Sequence, residues 1–290
     1  VTSRTFGLIG CGVVIVFLFA TGILALIAIG LLDGEDLPHL GQRVAVLPIT
    51  GTISSSERAV REIDELAEDA SIQAVVIRID SPGGGIAPSQ EIHDAIKRLR
   101  SSKPVIASMA NTAASGGYYV AVACDSIMAN PGSLTGSIGV IFSWVTAEEL
   151  LQKVGVRLEV VKSGPVKDMG SFAREPSAEE RRLLEGLVDD AYQQFVDAVV
   201  AGRSLSRSEV LALADGRVFT GRQALELGLV DRLGGEWEAV RWAAELAGID
   251  GEPVVVDRGR SRFQFLDLLE ESSRSLLPEM AAPRLEYRFH

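Results

Sequence analysis

A chain of 290 residues with two cysteines, three histidines and a formal net charge of −11 is long enough for one large domain with a substantial core. The acidic balance, without any basic run, argues against nucleic acid as a partner and against a polybasic lipid-binding surface. Cys11 and Cys124 provide neither a disulfide framework nor metal-ligand spacing; the hydrolytic chemistry read below needs no cofactor and no metal.

Residues 6–32 carry no charge and only Thr21 as a conventional polar side chain. A helix of that length would be roughly 40 Å long against a hydrocarbon core of about 30 Å, so it can span a bilayer with tilt. A cleaved signal peptide would have an apolar core of only about 7–15 residues. The segment Leu8-Ile9-Gly10-Cys11 has the form of a lipoprotein processing site, but the apolar run follows the cysteine, where such a signal needs it before. Arg4 precedes the run and no Lys or Arg follows until Arg43. The positive-inside rule then predicts a single-pass membrane protein with residues 1–5 in the cytoplasm and the rest of the chain outside. Residues 33–42 read as an acidic linker.

From Arg43 onward, strand-like and helix-like runs alternate. Strands are predicted at Arg43–Ile49, Ala74–Ile79, Pro104–Met109, Ile127–Ala129, Arg157–Val161 and Pro253–Val256 from their β-branched content. Helices are predicted at Glu57–Glu68, Pro88–Arg100, Ser115–Ala123, Glu148–Val154, Ser177–Val200, Ser206–Leu213, Gly221–Glu226 and Glu236–Leu246. This repetition predicts an α/β fold with a parallel sheet and helices packed around it. Residues 43–257 form the expected domain. Residues 258–290 show no core pattern and read as an arm or a peripheral helix.

Two residues stand in settings that suit catalysis. Ser115 lies in Asn111-Thr112-Ala113-Ala114-Ser115-Gly116-Gly117-Tyr118-Tyr119, and Lys167 lies in the loop-like run Lys162–Gly170. A serine hydroxyl is a poor nucleophile without a neighbouring base. None of His39, His93 and His290 lies where a triad is suggested, but a desolvated lysine can accept the proton instead. The pair suggests a Ser-Lys hydrolase. Ser81-Pro82-Gly83-Gly84-Gly85 sits between a strand and a helix, where backbone N–H groups can form an oxyanion hole; a plain turn is the simpler reading of that loop taken alone.

Five blocks in order, Asp80–Gly85, Ala113–Tyr119, Gly132–Val140, Ser163–Asp168 and Asp215–Ala224, resemble the short form of the signal peptide peptidase A family, from about Arg43 to Ala247. The resemblance implies a Clp protease/crotonase-like fold of stacked ββα units behind one N-terminal transmembrane helix. It implies a membrane-anchored serine endopeptidase acting on apolar peptides, in particular signal peptides left after secretory processing. By the same resemblance Ser115 is the nucleophile, Lys167 the general base and Ser137 a serine that orients the lysine. Gly84 and Gly116 supply the oxyanion hole, and sites are shared between protomers of a homo-oligomer.

Rival readings stand beside these. Lys162 is an alternative base, but it ends a strand-like run and reads as a solvated edge residue. His93 reads as lying on the polar side of its helix, and Asp168 as a surface or loop-capping residue. Tyr118 and Tyr119 could shape a groove or fill the core, and Asp215-Gly216-Arg217 reads as a turn with an ion pair. At the level of function, the alternatives are a crotonase-type acyl-CoA enzyme and a catalytically silent membrane scaffold.

Overall fold

A computed structural model describes residues 43–259 and 284–288. The expected membrane span at 6–32, the linker 33–42 and Cys11 lie outside the described residues. Among the described residues no helix is long and apolar enough to cross a membrane.

In chain order the elements are β1 (Arg43–Thr50), α1 (Glu57–Glu68), β2 (Ile72–Ser81), β3 (Gly83–Gly85), α2 (Ile86–Arg100), β4 (Val105–Ala114), α3 (Gly116–Ala121), β5 (Ser126–Ala129), β6 (Leu134–Gly136) and β7 (Ile141–Ser143). They continue with α4 (Glu148–Lys153), α5 (Ala178–Gly202), α6 (Arg207–Leu213), β8 (Val218–Thr220), α7 (Gly221–Glu226), β9 (Arg232–Leu233), α8 (Glu236–Leu246), β10 (Val254–Asp257) and β11 (Arg284–Arg288). The three helices α5, α6 and α7 begin on capping boxes, Ser177/Glu180, Ser206/Glu209 and Thr220/Gln223. In each box the cap side chain and the residue three further on satisfy N–H groups that the helix start leaves open.

The main sheet runs β10-β1-β2-β4-β5-β9 with every neighbour parallel. This bears out the parallel sheet expected from the β-α alternation. Side chains of a strand alternate between faces, and here both faces are buried. Val44, Val46, Ala74, Val76, Ile106 and Met128 pack with Ala239, Val240, Trp242 and Ala243 of α8. Their sequence neighbours Ala45, Leu47, Val75, Ile77, Val105 and Ala107 belong to the larger core with Ile63 and Leu66 of α1 and Ile92, Ile96 and Leu99 of α2. Double-sided burial explains why these strands read as unbroken apolar runs.

Three expectations need correction. Arg157–Val161 is in no strand; its β-branched residues face outward, with Val161 fully exposed, because no described sheet edge runs beside them. Second, β4 does not stop at Met109 but continues to Ala114, where it gains β6 as a parallel partner, and β6 in turn pairs antiparallel with β8. Third, the C-terminal region is not simply an arm or helix: Arg284–Arg288 is a strand in a second sheet of order β3-β11-β7.

The register at the ends of β2 and β4 positions the site. Ser81 pairs with Ala113, so the glycine loop after β2 and the Ser115 turn after β4 emerge side by side at the carboxyl ends of adjacent parallel strands, the usual location of sites in such sheets. Ile77 lies at the centre of this framework, with no exposed surface and parallel neighbours on both sides. Ile77→Ala is expected to lower unfolding free energy by about 2–5 kcal/mol, read as a reduced midpoint in urea at unchanged slope.

Candidate active site

Ser115 joins β4 to α3 with φ +54° and ψ −116°. This is a conformation that costs an L-residue energy and persists only where neighbours over-determine it. The neighbours are identifiable. The Ser115 N–H donates to the Gly136 carbonyl at 2.8 Å, and the Ser115 carbonyl accepts the Tyr119 N–H at 2.8 Å as the first bond of α3. The side chain is buried, and its Oγ has no hydrogen-bond partner among the described residues. A buried hydroxyl left unpaired is costly to keep.

Among the described residues the other non-glycine position with positive φ is Ser137, at +49°. It follows the Gly136 carbonyl that holds Ser115, and its own N–H donates to the Arg217 carbonyl at 2.8 Å. The two strained serines are thus tied into one strand-end cluster by the β4–β6 pairing.

The glycine loop closes on this cluster. Gly83 has φ +97°, and the point where a Cβ on it would stand is 2.7 Å from the Gly116 nitrogen and 3.1 Å from Ser115 Cβ. A Cβ on Gly116 would stand 3.2 Å from both Gly83 Cα and the Gly84 nitrogen, and 2.7 Å from Ser89 Oγ. Only glycine permits this approach of two backbones. The structure therefore brings Gly84 and Gly116 together beside the Ser115 side chain.

Lys167 is placed differently. It lies in the turn-rich segment 163–170, it is exposed, and no hydrogen bond or ion pair of its side chain is made among the described residues. The described residues of one chain neither bury it nor join it to Ser115. Its loop is nevertheless anchored. Asp168 accepts from Lys162 Nζ at 2.6 Å and from Arg174 Nη2 at 2.7 Å and Nε at 3.0 Å. Arg174 also donates to Glu180 through Nη1 at 2.8 Å and through Nη2, so it straps the loop to the capping box of α5. Lys162 is thereby engaged structurally, since it also donates to the Pro165 carbonyl at 2.7 Å. Sequence reasoning missed this strap; its one legible trace was the Ser177-x-x-Glu180 capping pattern.

His93 does not lie on the polar side of its helix. It is buried, with its ring 4.9 Å from that of Tyr119 and Nδ1 3.0 Å from Asp94 Oδ1. Burial pushes its pKa below the ordinary value against the opposing pull of Asp94. Tyr118 belongs to the core and donates its hydroxyl to the Leu229 carbonyl at 2.9 Å. Tyr119 is buried among rings. Cys124 is a small buried core residue, its thiol pKa pushed up by burial. Asp215-Gly216-Arg217 is the expected turn, with Gly216 at φ +87° and Arg217 Nε donating to Asp215 at 2.8 Å. Among the described residues no group of three or more His, Cys, Asp or Glu could hold a metal ion.

Two families match this chain. Residues 97–250, which include Ser115, Ser137 and Lys167, match peptidase family S49, and residues 41–133 match Clp protease. A Synechocystis sp. chain named as a protease is 51% identical over 217 residues, covering 74% of this chain and 78% of that one. Serine protease SPPA, chloroplastic, of Arabidopsis thaliana is 34% identical over 265 residues, covering 86% of this chain and 38% of that protein. Protease 4 of Salmonella typhi is 31% identical over 277 residues, covering 92% of this chain and 40% of that protein. The chain thus spans most of the first relative and less than half of the other two.

The strap on the Lys167 loop has a defined pH dependence. The Arg174 and Lys162 donors hold the Asp168 carboxyl well below the usual range, and Arg174 with the Ser177 N–H lowers Glu180 to about 2. Depressed carboxylate values stabilise the folded form above the ordinary value of about 4, and the effect is lost as pH falls toward the folded values. Pepsin is expected to leave residues 162–175 intact at about pH 4 and to nick them near pH 2, where Glu180 protonates and its half of the strap weakens. Arg174→Ala is expected to be nicked there already at the higher pH. Equal resistance of this variant and the parent would show that the strap does not hold the loop.

Proposed function

We propose that this chain, which belongs to peptidase family S49 and is a serine-type peptidase, is a membrane-anchored endopeptidase that works through a Ser-Lys dyad. The observation that carries this reading is the buried Oγ of Ser115, unpartnered among the described residues, on a strained turn, beside the Gly84 and Gly116 backbones. Ser115 attacks the peptide carbonyl while neutral Lys167 takes its proton. The Gly84 and Gly116 N–H groups stabilise the oxyanion of the tetrahedral intermediate. The lysine then passes its proton to the leaving nitrogen, and water hydrolyses the acyl-Ser115 ester. Ser137 orients the lysine from the neighbouring strand end.

Lys167 of one protomer serves Ser115 of the next. Two observations favour a shared site. Lys167 is exposed, and its side chain makes no hydrogen bond or ion pair among the described residues. The segment around it also exposes Leu150, Val154, Val156, Leu158, Val161 and Phe172, an apolar surface of the kind that marks subunit contacts. A neighbouring protomer on this surface would supply the desolvation a lysine base requires. Residues 6–32 anchor the chain with residues 43–257 outside the cytoplasm, and apolar peptides such as remnant signal peptides are the substrates.

Two outcomes test the reading. Ser115→Ala and Lys167→Ala are each expected to reduce peptide hydrolysis by about a thousandfold or more, and Ser137→Ala by less. Co-expressed Ser115→Ala and Lys167→Ala chains should recover part of the activity, because one interface of a mixed pair unites an intact Ser115 with an intact Lys167. Verified mixed oligomers as inactive as either parent would sink the shared site. Secondly, a lysine base must be neutral, so the rate should climb with pH through neutrality; a maximum near about pH 5 would contradict the dyad.

A further inference from the structure

Each glycine of the loop Gly83–Gly85 offers one backbone donor and one acceptor, and the groups of Gly83 and Gly85 have identifiable partners. The Ile53 N–H donates to the Gly83 carbonyl at 2.9 Å, and the Gly85 N–H donates to the Ile53 carbonyl at 2.8 Å. The Gly83 N–H donates to Ser81 Oγ at 3.1 Å. The Gly85 carbonyl accepts from Ser89 Oγ at 2.8 Å. Ile53, Ser81 and Ser89 are all buried, so these bonds are shielded from competing water.

Together they set the direction of the one donor that lies between them. The Gly83 carbonyl and the Gly84 N–H belong to a single peptide unit, which is planar and trans, so the two point opposite ways. With the carbonyl tied to Ile53, the Gly84 N–H points away from Ile53. Turning this unit over would break the Ile53 bond and leave a buried donor without its acceptor, at a cost. Gly84 is also hemmed in by Ile53: a Cβ there would stand 2.2 Å from the Ile53 carbonyl oxygen.

Ser89 has a second contact. A serine hydroxyl bonded to the carbonyl four residues back is an ordinary feature of helices. Here, however, the same Oγ lies 2.7 Å from the point where a Cβ on Gly116 would stand, and that point is 3.2 Å from the Gly84 nitrogen. One buried hydroxyl therefore serves both backbones. It holds Gly85 by a hydrogen bond and occupies the space beside Gly116 that the missing side chain leaves.

We propose that Ser89 is a positioning residue for the oxyanion hole. With Ser81 and the Ile53 backbone it holds the Gly84 and Gly116 N–H groups at the spacing a tetrahedral oxygen requires. This rests on the reading of Ser115 as nucleophile and of the two glycines as donors. Ser89 acts through those backbones and touches no reacting atom. Oxyanion donors meet a charge that develops only in the transition state, so their alignment governs rate more than substrate affinity.

The test compares the full chain with its Ser89→Ala and Ser81→Ala variants in peptide hydrolysis. Each variant should lower kcat by about tenfold to a hundredfold while KM moves by less than about twofold. Two ligands then separate positioning from general loosening. A peptide boronate, whose boron becomes tetrahedral on taking up the Ser115 oxygen, should lose affinity by the same factor as kcat/KM. The same peptide with its carbonyl reduced to a methylene, which offers no oxygen to the hole, should bind the variants as it binds the parent. An unchanged kcat in Ser89→Ala, or equal weakening of the boronate and the reduced peptide, would overturn the proposal. If the parent shows no hydrolysis that Ser115→Ala removes, the Ser115 chemistry itself is refuted, and the role of Ser89 falls with it.

Discussion

The site depends on one backbone constraint, the left-handed turn at Ser115. That conformation is unfavourable for a serine taken alone. It is held by the hydrogen bond from Ser115 N–H to the Gly136 carbonyl, by the start of α3 and by the close approach of Gly83. The consequence is a hydroxyl that is buried yet has no hydrogen-bond partner among the described residues, a state that persists where the surrounding packing over-determines the turn. A serine at the same point of an ordinary helix start would turn its hydroxyl to a nearby backbone N–H and lose its availability.

The remaining architecture reads as support for that turn. The parallel pairing of β2 with β4 sets the two strand ends level, and burial on both sheet faces fixes the register, because slipping by one residue would exchange the α8-facing and α2-facing sets of side chains. The short partners β6 and β8 extend β4 beyond the main sheet. That extension brings Gly136 and Ser137 to Ser115. The glycines then act by absence of side chain: any Cβ on Gly83 or Gly116 would push apart the two backbones that meet here.

The Lys167 loop is organised by another principle. Among the described residues it leans on no sheet, and the strap of Asp168, Arg174 and Glu180 connects it to the start of α5. Ionic hydrogen bonds of this kind hold a segment in place without covering it. Lys167 is therefore presented outward, on a segment rich in exposed apolar side chains. A rigid Ser115 turn within the chain and an outward-facing Lys167 suit the proposed site, in which association of chains would complete it and activity and assembly would depend on each other.

Much of this was legible in the residues alone. The β-branched runs and their alternation with helical periods identify a parallel α/β sheet, since double-sided burial requires apolar residues at consecutive positions. Small residues around Ser115 and the three consecutive glycines at Gly83–Gly85 mark places where backbones must come close. The same local cues failed at Arg157–Val161, whose composition suits a strand but which has no described neighbour to pair with. They also failed at His93, buried against Tyr119 despite its polarity, and at β6, β8 and β9, which are too short to show a period. Sequence by itself determined which segments could be strands, helices and tight turns, because those depend on side-chain size, branching and local spacing. Only the tertiary structure decided that Ser115 and Ser137 are strained together, that Arg174 joins two carboxylates to hold the Lys167 loop, and that the Tyr287 ring packs on Tyr119 and Phe195. The first and last of these depend on contacts between residues far apart in the chain, and the Arg174 strap joins residues six apart across irregular turns; a periodic local pattern encodes neither.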